Sequence, residues 1–169
     1  MDVLFVRHAQ AETATGEQSD EDRALTEQGA ADAAALARAL QAMGIKLAAV
    51  LSSPLLRAVQ TAGPLAKAYG LKMKMADFMA PPGQQDQMRT TLEKLDARHL
   101  DTVALVGHAP SIDEMVTGLV AGGANFVSLS KPGVACVRLT SSPDEAELRW
   151  LMRREQIQLL GPNAKKKKR

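Results

Sequence analysis

The first apolar run of the chain stops abruptly at an arginine and a histidine. Val3 to Val6 are four consecutive apolar residues, β-branched and aromatic among them, and Arg7, His8 and a polar loop follow directly. A continuous apolar run of this length is typical of a strand that is buried on both faces in a parallel sheet. Ligands of open α/β sheets bind beyond the carboxyl ends of the strands, so we expect Arg7 and His8 to lie beside a ligand.

A second apolar run, Leu47 to Leu51, ends in a similar way. It leads through Ser52, Ser53 and Pro54 into a predicted helix that carries Arg57. A serine is available as the N-cap of this helix and a proline stands near its first turn. We therefore expect Arg57 to lie one turn inside the helix, facing the edge of the sheet.

A third run, Val103 to Val106, leads through Gly107 to His108 at another strand-to-helix junction. Parallel strands end at the same edge of a sheet, so the three runs predict one shared site. The side chains predicted to meet there are those of Arg7, His8, Arg57 and His108.

Two guanidinium groups and two imidazoles at one point suit a tetrahedral dianion, because the planar fork of arginine matches phosphate oxygens. Flanking arginines disfavour the imidazolium form, so we predict that His8 is largely neutral at physiological pH. One of its ring nitrogens is then free to attack phosphorus. Taken singly, Arg7 and Arg57 suggest surface ion pairs and His108 a hydrogen-bonded junction residue. Their combination favours a phosphate site.

Three motifs follow one another along the chain: Val6-Arg7-His8, Ser52-Ser53-Pro54-x-x-Arg57-Ala58-x-Gln60-Thr61 and Val106-Gly107-His108-x-Pro110. In type and order they resemble the motifs of the histidine phosphatase superfamily, also called phosphoglycerate-mutase-like, and they span most of the chain up to about Trp150. The short length and the element Asp22-Arg23-Ala24-Leu25-Thr26-x-x-Gly29 look most like the SixA-type branch, the phosphohistidine phosphatases.

The resemblance implies both a fold and a mechanism. The fold is α/β, a three-layer sandwich with a central, mostly parallel sheet and C-terminal antiparallel strands. In the implied mechanism His8 becomes phosphorylated and water then attacks the phosphohistidine. Arg7, Arg57 and His108 hold the phosphate oxygens in both steps. The scheme needs neither a metal nor another cofactor.

The substrate favoured by this pattern is a phosphohistidine protein, such as a histidine-containing phosphotransfer domain. The interval from Arg57 to His108 is too short for the helical insertion with which mutases and many sugar phosphatases cover their substrates. Two alternatives remain open: a phosphatase of small phosphoesters, such as sugar or nucleotide-precursor phosphates, and a non-catalytic phosphate-binding module. The acid that protonates a leaving oxygen is expected at Asp77, with Asp86 and Glu12 as alternatives.

Four further polar or site-adjacent features have alternative roles. Arg23 and Ala109 are candidates for further substrate contacts, but an ion pair of Arg23 with Asp20, Glu21 or Asp22 is an equal alternative. His99 is expected to be exposed between a helix and a strand. A zinc site formed by His8, His99 and His108 is another use of the three histidines, although two arginines beside a dication argue against it.

Length and composition predict one globular domain. The chain has 169 residues, of which 46% are hydrophobic, and we expect residues 1–163 to form a single domain. Cys136 lies in an alternating run and is predicted to be a packed structural thiol. No apolar run approaches the roughly 20 residues of a membrane span, and the amino end does not resemble a signal peptide, which favours a cytoplasmic location.

The net positive charge of the chain comes from its last residues. The last five residues, Lys165 to Arg169, are all basic, and without them 16 basic and 19 acidic side chains remain. We expect residues 164–169 to form a solvated, flexible tail. Binding of nucleic acid would need a broader basic face. The pattern leaves the oligomeric state open.

The remaining pattern predicts alternating helices and strands. Thr26 caps a helix at about 27–43 that Gly44 ends, and Gly70 ends the helix of Arg57. The other predicted elements are a strand at 71–76, a turn at 81–83, a helix at 84–97 with Met88, Leu92 and Leu95 inward, a helix at 110–120, and strands at 126–129, 134–140 and 147–152 joined by turns at 131–133 and 141–144.

Overall fold

A computed structural model describes residues 1–16, 19–122, 126–140 and 146–161 of the chain. The described strands form a single sheet: β1 (Asp2–Arg7), β2 (Ala49–Ser52), β3 (Met73–Met75), β4 (Thr102–Gly107), β5 (Gly133–Arg138) and β6 (Glu147–Met152). Their order across the sheet is β3-β2-β4-β1-β5-β6. The first four are mutually parallel, whereas β5 pairs antiparallel with β1 and β6 pairs antiparallel with β5.

The described residues form five α-helices, which cover the two faces of this sheet: α1 (Glu27–Ala42), α2 (Leu56–Ala68), α3 (Gln85–Asp96), α4 (Ser111–Val120) and α5 (Arg154–Leu160). Alternate residues of each buried strand point to opposite faces, so β1 supplies Val3 and Phe5 to one core and Leu4 and Val6 to the other. The first core contains residues of α3 and α4, and the second contains residues of α1, α2 and α5. The predicted α/β sandwich of three layers, with antiparallel strands near its carboxyl end, is confirmed.

Local sequence explains most element ends. The Thr26 hydroxyl accepts a hydrogen bond of 2.9 Å from the amide of Gly29, which is the predicted N-cap of α1. Gly44 and Gly70 follow α1 and α2 with φ of 73° and 63°, the left-handed conformation that favours glycine after a helix. On α3, the predicted inward residues Met88, Leu92 and Leu95 are all buried.

Two local predictions were wrong: the strand at residues 126–129 and the serine cap of α2. Residues 126–129 form no strand. The amide of Leu129 donates instead to Asp113 Oδ1 (3.1 Å) and its carbonyl accepts from Arg7, so side chains replace a sheet partner. Neither serine caps α2, whose N-cap position is Leu55 without a side-chain cap. Arg57 is consequently the second residue of α2 rather than one turn inside it.

Helix α5 was not predicted. It packs on α1 through Ile157, which is fully buried in the second core. At its amino end the amide of Arg153 donates to Oε1 of Gln156 (3.0 Å), so one of the free amides of the first turn has a side-chain acceptor. The predicted turn at 141–144 and the predicted tail at 164–169 lie outside the described residues. Within the described part of the chain, no helix has the length and apolar character needed to cross a membrane.

The close packing of α1 against the loop after β1 yields a stability prediction. A Cβ on Gly29 would lie 2.0 Å from the main-chain oxygen of Gln10, so Gly29→Ala must displace backbone. We expect it to lower the free energy of unfolding by about 1–3 kcal/mol, measured by urea denaturation.

Gly63→Ala in α2 is the matched control, because a Cβ there meets no atom within 4 Å. It should raise stability by roughly 0.5–1 kcal/mol, since alanine is the better helix former. Equal effects of the two substitutions would contradict the close approach at Gly29.

Candidate active site

His8 directly follows β1 at the carboxyl edge of the sheet. Its amide donates to the carbonyl of Gly107 (3.0 Å), which fixes the residue beside the end of β4. The ring is 6% exposed, and its Nδ1 lies 2.7 Å from the carbonyl oxygen of Ala9. A carbonyl oxygen only accepts hydrogen bonds, so Nδ1 carries the proton. In the neutral ring the lone pair therefore resides on Nε2.

His108 follows β4, the parallel neighbour of β1, and is equally buried. Arg7 pairs with Gly107 in the register of the two strands, so the next residues lie at the same level. The rings of His8 and His108 are tilted by 54°, and their centroids are 5.0 Å apart. His108 Nε2 lies 2.8 Å from the hydroxyl of Ser53, and its Nδ1 is buried without a partner among the described residues.

Both imidazoles are held in the neutral form, chiefly by burial. The pKa of His8 is lowered to about 4, with burial as the largest cause; the bond to Ala9 opposes this shift, and the nearby cations of Arg57, Lys131 and Arg7 add to it. Burial likewise lowers the pKa of His108 to about 3, with His8 and Arg57 as smaller contributions. The sequence argument assigned this effect to the arginines, but removal from water is the larger cause.

Arg57 reaches the same edge from the first turn of α2 and is 3% exposed. Its Nη1 donates to the main-chain oxygen of Asp20 (2.6 Å), and its Nη2 lies 2.9 Å from Asp20 Oδ2. Its Nε is buried without a partner among the described residues. A buried donor without a partner is costly in a folded protein, so this one marks a place where an acceptor fits.

Arg7, the last residue of β1, shows the same pattern. Its Nη1 donates to the carbonyl of Leu129, while its Nε is buried and has no partner in the described residues. Leu129 is itself held by Asp113 on α4, as described above. The loop before β5 therefore anchors one end of this guanidinium and leaves another donor unused.

Thr61 links the nucleophile loop to α2. Its hydroxyl accepts from the amide of Ala9 (3.0 Å) and donates to the carbonyl of Arg57 (2.7 Å), one turn earlier in the helix. The threonine is fully buried. This single hydroxyl fixes the residue after His8 relative to the helix that carries Arg57, a role that the second motif contains but that sequence reasoning did not assign.

Arg23 takes the ion-pair alternative of the sequence analysis. Its Nε and Nη2 lie 2.8 and 2.7 Å from Asp20 Oδ1, and its Nη1 donates to the carbonyl of Glu12 at 3.1 Å. Ala109 is half-buried at the junction between β4 and α4. Substrate contacts of Arg23 and Ala109 stay predictions.

The acid candidates are all exposed carboxylates. Asp77 begins a 3-10 turn (Asp77–Met79) after β3, and this turn crosses the end of β4, where Met79 packs beside Gly107. Asp86 lies on α3 and Glu12 in the loop after β1. Asp77 and Glu12 both follow parallel strands, β3 and β1, at the edge that carries His8.

Lys131 is a cation that sequence reasoning missed. It lies just before β5, whose first residue, Gly133, pairs with Arg7. Because β5 runs antiparallel to β1, the residues that precede it stand at the carboxyl edge of β1. Burial lowers the pKa of Lys131, and so do the charges of Arg7, Arg23 and Arg57. Only the topology of the sheet identifies this residue.

His99 is far from the other histidines. It is exposed between α3 and β4 and lines a cavity with Met1, Asp2 and Thr102, at the amino ends of β1 and β4. His8 and His108 follow the carboxyl ends of the same strands, so the three histidines form no zinc site. The described residues also contain no cluster of three or more His, Cys, Asp or Glu side chains that could hold a metal ion.

Comparisons with known proteins establish the family of this chain. A family model described as the histidine phosphatase superfamily, branch 1, matches residues 3–80. An uncharacterized protein of Picosynechococcus sp. is 33% identical over 140 residues, which covers 82% of this chain and 85% of that relative. The chain belongs to the histidine phosphatase superfamily.

Solved structures of this superfamily share the fold. The protein histidine phosphatase SixA, complexed with tungstate, superposes with a TM-score of 0.83 at 25% identity and covers 93% of this chain and 99% of that chain. A mycobacterial glucosyl-3-phosphoglycerate phosphatase, complexed with VO3, has a TM-score of 0.72 at 17% identity and covers 88% and 97%, a likeness of fold alone. The chain is thus a SixA-type histidine phosphatase in fold, and membership of the superfamily implies a phosphatase with a histidine nucleophile.

The lowered pKa values of His8 and His108 lead to a prediction of how the free energy of unfolding depends on pH. Their folded pKa values, about 4 and about 3, lie below the ordinary value of 6.5, so the unfolded chain binds more protons between these limits. We expect stability to fall as the pH is lowered from about 6.5 toward 4, measured by urea denaturation. His8→Asn and His108→Asn should each flatten this slope.

Nitrogen-15 NMR of the imidazoles provides the direct measurement, with His99→Gln used to assign the third ring. The spectrum of His8 should show the neutral tautomer protonated on Nδ1 throughout the range from pH 5 to 8. Titration of His8 near pH 6.5 would contradict the pKa shift that burial imposes.

Proposed function

We propose that this protein is a phosphohistidine phosphatase that forms a covalent phosphohistidine at His8. The observation that supports it best is the state of the His8 ring: it is buried and neutral, its proton is committed to Ala9, and Nε2 keeps its lone pair. The unpartnered Nε donors of Arg7 and Arg57 at the same edge supply hydrogen bonds of the kind that phosphate oxygens accept.

In the first step, the Nε2 lone pair of His8 attacks phosphorus and the bond to the leaving group breaks with its electron pair. The leaving group takes up a proton. Arg7 and Arg57 stabilise the charge on the transferring oxygens, and the neutral ring of His108 contributes a hydrogen bond if its proton is on Nδ1. Attack gives His8 a formal positive charge, which the Ala9 carbonyl stabilises through Nδ1–H.

In the second step, water attacks the phosphohistidine and the bond between phosphorus and Nε2 breaks. The electron pair returns to His8, which is again neutral, and inorganic phosphate leaves. The low pKa of His8 suits both steps, because a weakly basic imidazole is unprotonated before attack and is a good leaving group afterwards. The steps balance without a metal or a redox partner.

Access to the site favours a phosphate carried on a protein. Between Arg57 and His108 the chain forms the rest of α2, β3, the 3-10 turn, α3 and β4. Helix α3 packs into the core through Met88, Leu92 and Leu95 instead of covering the site. The protein relative with tungstate is named a protein histidine phosphatase. These observations support a substrate whose phosphorylated side chain enters an open site.

A small phosphoester is the second candidate, and Lys131 is the observation in its favour. Lys131 lies within electrostatic range of Arg7, Arg23 and Arg57, and Asp20 pairs with the last two of these arginines. A substrate with an acidic group close to its phosphate would use the additional cation. The two candidates differ in how strongly their leaving groups need a proton.

The first test asks whether a covalent phosphoenzyme forms at His8. His8→Ala should abolish turnover and acid-labile labelling by a phosphorylated substrate, because no other described side chain occupies its place. Quenched-flow labelling and circular dichroism would measure the loss and the integrity of the fold, and added EDTA should leave wild-type turnover unchanged. A labelled His8→Ala protein would contradict the mechanism.

The second test compares substrates that differ in their leaving group. Departure of an alkoxide needs a proton in the transition state, and a positioned acid contributes typically about 10²–10⁴-fold, whereas an imidazole leaving group needs less help. With Asp77 exposed, we expect kcat/KM to fall in the order phosphohistidine protein or phosphoramidate, aryl phosphate, alkyl phosphate.

Asp77→Asn is the variant that assigns the acid, and Asp86→Asn on α3 is its matched control. If Asp77 supplies the proton, Asp77→Asn slows alkyl esters most and phosphohistidine least, while Asp86→Asn changes neither. A wild-type preference for an alkyl phosphate would favour the small-phosphoester function instead.

A further inference from the structure

Asp20 lies between two of the arginines at the site edge. It begins a short 3-10 turn (Asp20–Asp22) in the polar loop after β1, and its side chain is 63% exposed. Oδ2 is 2.9 Å from Nη2 of Arg57, whereas Oδ1 is 2.7 Å from Nη2 of Arg23. One carboxylate thus bridges two guanidinium groups, with one oxygen for each.

The contacts with Arg57 use one particular edge of its guanidinium. Nη1 donates to the main-chain oxygen of Asp20 and Nη2 to its carboxylate, so the end formed by the two Nη atoms is occupied. A guanidinium has five N–H donors in a rigid planar fork. The edge formed by Nε and the second hydrogen of Nη2 remains, and Nε on that edge is the buried donor without a partner. That edge has the two parallel donors that bind phosphate in a bidentate manner.

Arg23 is fixed more completely. All three of its nitrogens have acceptors, two contacts going to Asp20 and one to the carbonyl of Glu12. Arg23 therefore holds Asp20 through Oδ1, while Oδ2 binds Arg57. A carboxylate held in this way can set the orientation of a long side chain. Asp20 also offsets the repulsion between two cations that approach the same point.

We propose that Asp20 is a positioning residue for phosphate binding. It binds the Nη end of Arg57 while Arg23 holds Asp20 in place, so that the Nε edge of Arg57 faces the substrate phosphate. The inference rests on the proposed function, in which Arg57 holds the transferring phosphate. It adds a residue outside the three motifs that carry the chemistry.

The direction of the effect distinguishes positioning from simple electrostatics. Removing a carboxylate beside a phosphate site makes the site more positive, which by itself would strengthen binding of the anion. If Asp20 positions Arg57, its removal frees the guanidinium to rotate and binding weakens instead. Positioning and charge removal therefore predict opposite signs.

The experiment is an NMR titration of the full chain with inorganic phosphate, which needs no turnover. Asp20→Ala should weaken phosphate affinity at least tenfold, and Glu21→Gln should change it less than twofold. Glu21 is the matched control because it lies in the same 3-10 turn, is exposed and has the same charge, but pairs with no arginine of the described residues. Unchanged or tighter binding by Asp20→Ala, with the melting temperature maintained, would overturn the inference.

A double-mutant cycle shows whether Asp20 acts through Arg57. In an Arg57→Ala background, Asp20→Ala should weaken phosphate binding less than threefold further, because the positioned group is already gone. A full tenfold loss in that background would indicate a role in folding the loop, and would overturn positioning.

Kinetics separate this inference from the function on which it rests. Asp20→Ala should lower kcat/KM on an aryl phosphate by at least tenfold, with part of the loss in kcat because Arg57 also stabilises the transition state. If wild type binds phosphate and Asp20→Ala weakens it, but wild type forms no phosphoenzyme, the proposed function fails while the positioning of Arg57 stands.

Discussion

The parallel pairing of β1 with β4 is the constraint on which the rest of the site depends. The two strands are buried on both faces and locked residue by residue, from Asp2 with Thr102 to Arg7 with Gly107. A shift by one residue would turn every side chain to the opposite face, so the two cores hold the register firmly. The register brings the next residues, His8 and His108, into contact at one level above the sheet.

Burial of these two imidazoles gives the edge its electrostatic character. Since both rings are neutral, the charge there comes from the arginines and Lys131, and Asp20 opposes it. The guanidinium groups of Arg7 and Arg57 can lie near each other because one end of each donates hydrogen bonds to a carbonyl or a carboxylate oxygen. These hydrogen bonds hold the guanidinium groups in place against their mutual repulsion, so the remaining donors keep a fixed direction. Such preorganised donors stabilise the transition state of phosphoryl transfer.

Single side chains, and not regular secondary structure, fix the loops around the site. Asp113 holds Leu129, Thr61 holds Ala9, and the Ser53 hydroxyl meets His108. Each of these polar atoms is buried where water is excluded, so the loss of one partner would leave another unsatisfied.

The sequence by itself determined the elements and their class. Apolar runs specified the buried strands, Thr26 and Gly70 specified helix ends, and three motifs indicated the superfamily, because each of these depends on neighbours within a few residues. The predicted strand at residues 126–129 was wrong because the partners of that segment, Arg7 and Asp113, come from other parts of the chain. Only the tertiary structure decided which nitrogen of His8 is free, that burial more than charge keeps it neutral, and that Lys131 and Asp20 stand beside Arg57. These properties arise from distances across the sheet edge, and the order of residues along a chain does not contain such distances.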